Sequence, residues 1–100
     1  MTMNVRIPVS LDAIAAFCRR HHIRRMSFFG SVLRDDFGPD SDVDVLVEFE
    51  PGVKVGLSLF AMQDELSALL GRNVDLNTPG FLSRHFREAV IAHAEVAYAA

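Results

Sequence analysis

The segment from Asp42 to Glu50 constrains the fold more than any other part of the chain. Valines occupy every second position of its first half, and Asp42 and Asp44 lie on the opposite face. This alternation predicts a β-strand, because successive side chains of a strand point to opposite faces of its sheet. An aspartate pair within such an apolar strand is costly to bury without a cation or a cluster of donors. The pair is therefore predicted to belong to a functional site.

A Gly30-Ser31 pair precedes this strand, with ten residues between Ser31 and Asp42. We expect a short helix from Ser31 to Asp36, whose first turn leaves backbone N–H groups unpaired and favours anions. The two aspartates of the strand can hold hard divalent cations. Together these features predict a site for a metal-bound nucleoside triphosphate. Ser31 would hold the outer phosphates, and Arg34 would add a guanidinium to them.

The other elements follow from apolar spacing, helix caps and chain breakers. Helices are predicted over residues 10–21, 56–70 with Gly71 as C-cap, and 79–92. Strands are predicted over residues 23–29, 73–77 and 95–99. This alternation predicts an α/β (α+β) fold, with a small mixed β-sheet of three to four strands covered by helices largely on one side.

The predicted strand over residues 73–77 adds a third carboxylate, Asp75. If this strand lies beside the one that carries Asp42 and Asp44, the three aspartates form a candidate catalytic and metal-binding set. Two Mg²⁺ ions about 3.5–4 Å apart would supply most of the electrostatic stabilisation of a phosphoryl-type transfer. Asp75 could also take the proton of the attacking hydroxyl.

Composition limits the classes of protein to which the chain can belong. Its 100 residues fit one domain, residues 1–100, with no second domain for a substrate. The net charge of −3 argues against direct, broad binding of nucleic acid. No segment has the length of a signal peptide core or a membrane span, so no membrane association is expected. The single cysteine, Cys18, excludes a disulfide framework within the chain and favours a reducing, cytoplasmic location.

On Gly30, Ser31, Asp42, Asp44 and Asp75, the chain resembles the minimal nucleotidyltransferases (MNT) of the DNA polymerase beta superfamily. The resemblance covers essentially the whole chain and implies the small nucleotidyltransferase fold of that group. It also implies a Mg²⁺-dependent enzyme with ATP as substrate, acting as the antitoxin of a toxin-antitoxin system. The implied partner is a HEPN-domain ribonuclease toxin, which would be silenced by transfer of AMP to a tyrosine hydroxyl (AMPylation).

Two other functions remain open from the sequence. The chain could be a noncatalytic antitoxin that neutralises a toxin by binding it, or a nucleotidyltransferase that acts on RNA or on a small molecule. The absence of a substrate domain and the acidic balance disfavour the second alternative. The sequence leaves open whether the chain forms a homo-oligomer and which nucleotide it prefers.

Overall fold

The structure is a computed structural model that describes residues 10–33, 38, 41–79 and 84–100. Its helices are α1 (Leu11–Arg20), α2 (Ser58–Leu70) and α3 (Arg84–His93), and its strands are β1 (Ile23–Phe29), β2 (Val43–Phe49), β3 (Val74–Asn77) and β4 (Glu95–Ala99). Among these described helices, none is long and apolar enough to cross a lipid bilayer. The mixed α/β composition agrees with the sequence-based expectation.

The bounds of most elements lie within two residues of the predicted ones. The short helix and the last helix are only partly described. The chain forms a 3₁₀ turn over Gly30–Leu33, which begins one residue earlier than predicted, and the predicted end of that helix lies outside the described residues. Helix α3 is described over Arg84–His93, and residues 80–83 of the helix predicted over 79–92 lie outside the described residues.

A side-chain cap explains where α1 begins, and a glycine cap explains where α2 ends. The Ser10 hydroxyl accepts a hydrogen bond from the Ala13 N–H at 3.3 Å, which satisfies one of the unpaired donors at the start of α1. Gly71 ends α2 in the left-handed conformation (φ 69°), and its N–H donates to the Ser67 carbonyl. A glycine adopts this conformation at little cost, so the chain can turn sharply from α2 towards β3.

The four strands form one mixed sheet in the order β3-β2-β1-β4. Strand β1 runs antiparallel to both β2 and β4, whereas β2 and β3 are parallel. Helix α2 lies in the crossover between the parallel strands, as such a connection requires. The sheet therefore places β2, which contains Asp44 and directly follows Asp42, between β1 and β3.

The larger core lies between one face of the sheet and the helices α1 and α2. It contains fully buried residues of both helices and the three valines of β2, among them Phe17, Leu66 and Val45. The opposite face carries a smaller cluster in which Phe29 and Leu46 contact Val90 of α3. Among the described residues, most buried apolar side chains thus lie on one side of the sheet.

Helix α2 also holds the outer edge of β3 through two polar side chains. The Ser67 hydroxyl accepts from the Val74 N–H at 3.0 Å, and Gln63 Oε1 accepts from the Leu76 N–H at 2.9 Å. These bonds occupy backbone donors on an edge strand that would otherwise face solvent or another strand. The strand that carries Asp75 is therefore fixed on both of its edges.

Cys18 is a core residue. It is buried within α1, and burial raises the pKa of its thiol to about 12. A thiol with such a pKa stays protonated at neutral pH and is a poor nucleophile. Cys18 therefore contributes packing to the core rather than chemistry.

The two faces of α2 should respond differently to truncation. We expect Leu66→Ala to lower the free energy of unfolding by about 2–5 kcal/mol, because Leu66 is 0% exposed in the main core. Phe60→Ala on the same helix should change it by less than about 0.5 kcal/mol, because Phe60 is 65% exposed. Urea denaturation of both variants measures the difference. Equal losses would show that α2 does not pack in this orientation.

Candidate active site

The register of the sheet brings three strands together around Asp44. In the antiparallel pair, Asp44 lies opposite Phe29, the last residue of β1. In the parallel pair, Asp44 lies opposite Asp75 of β3. Paired residues of neighbouring strands project to the same face of a sheet. Asp44 and Asp75 therefore share one face and one end of the sheet, next to the point where Gly30 follows β1.

Gly30 lies against the Asp44 carboxylate. Its φ is +74°, and a Cβ atom built on it would overlap with Asp44 Oδ2 and lie 3.2 Å from Asp44 Cγ. A side chain at this position would therefore combine an unfavourable backbone conformation with a collision. The glycine of the Gly-Ser pair is required here for space as well as for the turn.

Asp42 lies immediately before β2 and is held by contacts of the segment between α2 and β3. The Val43 N–H, one residue after Asp42, donates to the Asn73 carbonyl at 2.8 Å. Arg72 Nη2 donates to the Ser41 carbonyl, one residue before Asp42, at 3.3 Å. Sequence reasoning missed Arg72, because no periodicity or motif links it to a residue more than thirty positions away.

The three aspartates differ in exposure. Asp42 and Asp75 are exposed, whereas Asp44 on the inner strand is half-buried. Their carboxylates are hard oxygen donors of the kind that Mg²⁺ prefers. Within the described ranges, no group of three or more His, Cys, Asp or Glu side chains is close enough to form a metal cluster. The strands nevertheless bring oxygen donors suited to a hard cation to one end of the sheet, where the missing side chain of Gly30 leaves room for the Asp44 carboxylate.

Two predicted nucleotide-binding residues are only partly covered by the structure. The backbone of Ser31 lies in the 3₁₀ turn that follows β1, while its side chain lies outside the described part of the chain. Arg34 lies outside the described residues altogether. Their roles at the phosphates stay predictions.

Comparison with known proteins gives a family match over most of the chain. A family model described as "Nucleotidyltransferase domain" matches residues 11–96. The chain is 37% identical, over 79 residues, to a Thermococcus cleftensis protein named "Protein adenylyltransferase MntA". That similarity covers 79% of this chain and 77% of the relative.

Two solved structures show the same fold at low identity. One is described as a toxin-antitoxin with AMP-PNP, and it has a TM-score of 0.74 at 17% identity, covering 92% of this chain and 75% of the other. The second is described as a tri-AMPylated Shewanella oneidensis HEPN toxin in complex with MNT antitoxin. Its TM-score is 0.66 at 17% identity, covering 90% of this chain and 70% of the other.

The contact between Gly30 and Asp44 can be tested with a pair of glycine variants. Gly30→Ala and Gly52→Ala both place alanine at a positive φ, but only the first Cβ would meet another group within 4 Å. Gly52→Ala should cost about 1–2 kcal/mol of stability from backbone strain, and Gly30→Ala should cost at least as much because of the added collision. Gly30→Ala should in addition weaken Mn²⁺ binding by about tenfold, or about 1.4 kcal/mol, because the Asp44 carboxylate must move away.

Water-proton relaxation measures Mn²⁺ affinity, and urea denaturation measures stability. Gly52→Ala is the matched control for backbone strain. Equal Mn²⁺ affinities of the two variants would contradict a role for Gly30 in placing Asp44.

Proposed function

Because the chain belongs to the nucleotidyltransferase domain family and is a nucleotidyltransferase, we propose that it is a Mg²⁺-dependent protein adenylyltransferase that acts as an antitoxin. Its substrate would be ATP, and its target a tyrosine hydroxyl of a HEPN-domain toxin. The observation that carries this proposal is the pairing of Asp44 with Asp75 beside Gly30. That arrangement supplies two carboxylates on one face at one end of the sheet.

The similar proteins support the choice of a protein substrate. The Thermococcus relative is named as a protein adenylyltransferase, and it is similar to this chain over more than two thirds of both sequences. The two structural neighbours are described as a toxin-antitoxin with AMP-PNP and as an AMPylated HEPN toxin with its MNT antitoxin. A nucleotide, a toxin and AMP transfer thus occur together in proteins of this fold.

Asp42, Asp44 and Asp75 are the residues that would hold Mg²⁺. When bound, the metal would neutralise charge on the triphosphate and on the departing pyrophosphate. Gly30 leaves room for the Asp44 carboxylate. Ser31 and Arg34 would bind the outer phosphates through hydroxyl and guanidinium hydrogen bonds.

The transfer itself exchanges one phosphorus–oxygen bond for another. The tyrosine oxygen attacks the α-phosphorus of ATP, and the bond from that phosphorus to the oxygen that bridges to the β-phosphorus breaks. Pyrophosphate leaves with the electron pair of that bond. Asp75, which is exposed beside the site, accepts the proton of the tyrosine hydroxyl. AMP-tyrosine and pyrophosphate are the products.

The exposure of Asp42 and Asp75 favours a hydroxyl that is carried on the surface of another protein. Such a hydroxyl reaches exposed carboxylates directly, and the surrounding surface of its own protein positions it. An enclosed pocket is the more usual site for a small molecule. The exposure of the two carboxylates therefore supports a macromolecular target.

Removal of the Asp42 and Asp44 carboxylates should abolish AMP transfer. We expect the double variant Asp42→Ala, Asp44→Ala to lower the rate by at least about 10³-fold, because electrostatic stabilisation of the transferred group supplies several kcal/mol. The assay incubates the chain with ATP, Mg²⁺ and a HEPN-domain protein encoded beside it, followed by intact-mass analysis of both proteins. Asp64→Ala, at an exposed aspartate on α2, is the matched control and should keep the wild-type rate.

The expected result is a mass gain of one or more AMP units on the HEPN protein, retained with Asp64→Ala and lost with the double variant. A stable complex without any mass gain, which also survives the double substitution, would replace this proposal by a noncatalytic, binding antitoxin. AMP transfer to RNA or to a small molecule in place of the protein would refute the protein target.

A further inference from the structure

Two hydrogen bonds join Gly38 and Ser41, which both precede Asp42. The Gly38 carbonyl accepts from the Ser41 N–H at 3.1 Å, and the Gly38 N–H donates to the Ser41 hydroxyl at 3.1 Å. These two bonds join Gly38 to Ser41 in both directions. This bonded pair, the Gly38–Ser41 turn, ends one residue before Asp42, and residues 39–40 lie outside the described part of the chain.

Arg72 holds this turn from the side of α2. Its Nη2 donates to the Gly38 carbonyl at 2.7 Å and to the Ser41 carbonyl at 3.3 Å, so one charged group bridges both ends of the turn. Hydrogen bonds from a charged donor are stronger than neutral ones. The Arg72 side chain is also half-buried, which limits competition from water.

Asn73, which follows Arg72, holds the backbone on the other side of Asp42. The Asn73 carbonyl accepts from the Val43 N–H at 2.8 Å. The residue before Asp42 is thus bonded to Arg72, and the residue after it is bonded to Asn73. Asp42 is the only residue between these two attachments, so its backbone has little freedom to move.

The same segment leads directly to Asp75. Gly71 turns the chain out of α2 with a φ of 69°, and Asp75 follows Asn73 by two residues. The Arg72–Asn73 segment therefore connects the start of the Asp75 strand to the turn that precedes Asp42. A shift of this segment would change the distance between the two carboxylates.

We propose that Arg72 is a positioning residue of the active site, which sets the Asp42 carboxylate relative to Asp75 through its bonds to the Gly38–Ser41 turn. The inference deepens the proposed function and rests on it for the identity of the reaction. Arg72 contacts neither nucleotide nor metal in this assignment. It acts through the backbone that precedes Asp42, the residue that would bind the metal.

Substitution of Arg72 should leave the core intact. Arg72 lines an open surface cavity of about 460 Å³ together with Ser67, Ala68, Gly71 and Asn73. A shorter side chain there opens no hole in the main core, whose buried residues lie elsewhere. Effects on catalysis can therefore be separated from loss of the fold.

The test compares Arg72→Ala, Arg72→Lys and the control Arg19→Ala, which removes an exposed arginine of α1. We expect Arg72→Ala to weaken Mn²⁺ binding in the presence of AMP-PNP by about tenfold, or about 1.4 kcal/mol. The fold decrease in its kcat for AMP transfer should exceed the fold increase in its KM for ATP. The reason is that the substitution displaces a metal ligand and leaves the nucleotide contacts in place. Arg72→Lys should recover part of both losses, since an ammonium group can still donate to the turn.

Unfolding measurements under the same conditions ensure that each variant is folded. A folded Arg72→Ala with wild-type Mn²⁺ affinity and kcat would overturn the positioning role. If the wild-type chain transfers no AMP but Arg72→Ala still lowers the Mn²⁺ affinity, the proposed function is overturned and the positioning role of Arg72 is supported. A wild-type chain that binds no Mn²⁺ would overturn both.

Discussion

The register of β2 with its two neighbours is the constraint on which the site depends. Asp44 lies opposite Phe29 on one side and opposite Asp75 on the other. A slip of one residue would turn Asp44 towards the main core and a valine towards the site, because the period of a strand is two. The valines of β2 are fully buried against α1 and α2. The packing of the core therefore also determines the face on which the carboxylate lies.

The position of Asp75 depends on contacts that are far from its own side chain. Strand β3 has only four residues and lies at the edge of the sheet. It pairs with β2 on one side, and Ser67 and Gln63 of α2 bind its outward N–H groups on the other. Helix α2 is in turn fixed by buried residues such as Leu66. A chain of only 100 residues thus uses the same helix to build its core and to hold a candidate catalytic strand.

Local patterns explain which parts of this arrangement could be read from the sequence. The alternation in β2 predicted both the strand and the common face of Asp42 and Asp44, and Gly71 predicted the end of α2. The sequence does not predict that β3 pairs with β2, because a period of two indicates a strand but not its neighbour. The hydrogen bonds of Arg72 and the contact of Gly30 with Asp44 join residues that are far apart in the sequence. No periodic pattern in the sequence indicates such contacts.

The three carboxylates are held in place by different means. Asp44 is fixed by the register of the inner strand and is half-buried beside Gly30. Asp42 precedes the strand and is fixed by backbone bonds of its neighbours to Arg72 and Asn73. Asp75 is fixed by an edge strand that α2 supports. Because residues 72–73 belong to the connection between α2 and β3, the supports of Asp42 and Asp75 are physically joined. The link between α2 and β3 is therefore the part of the fold that sets the two exposed carboxylates relative to the half-buried one.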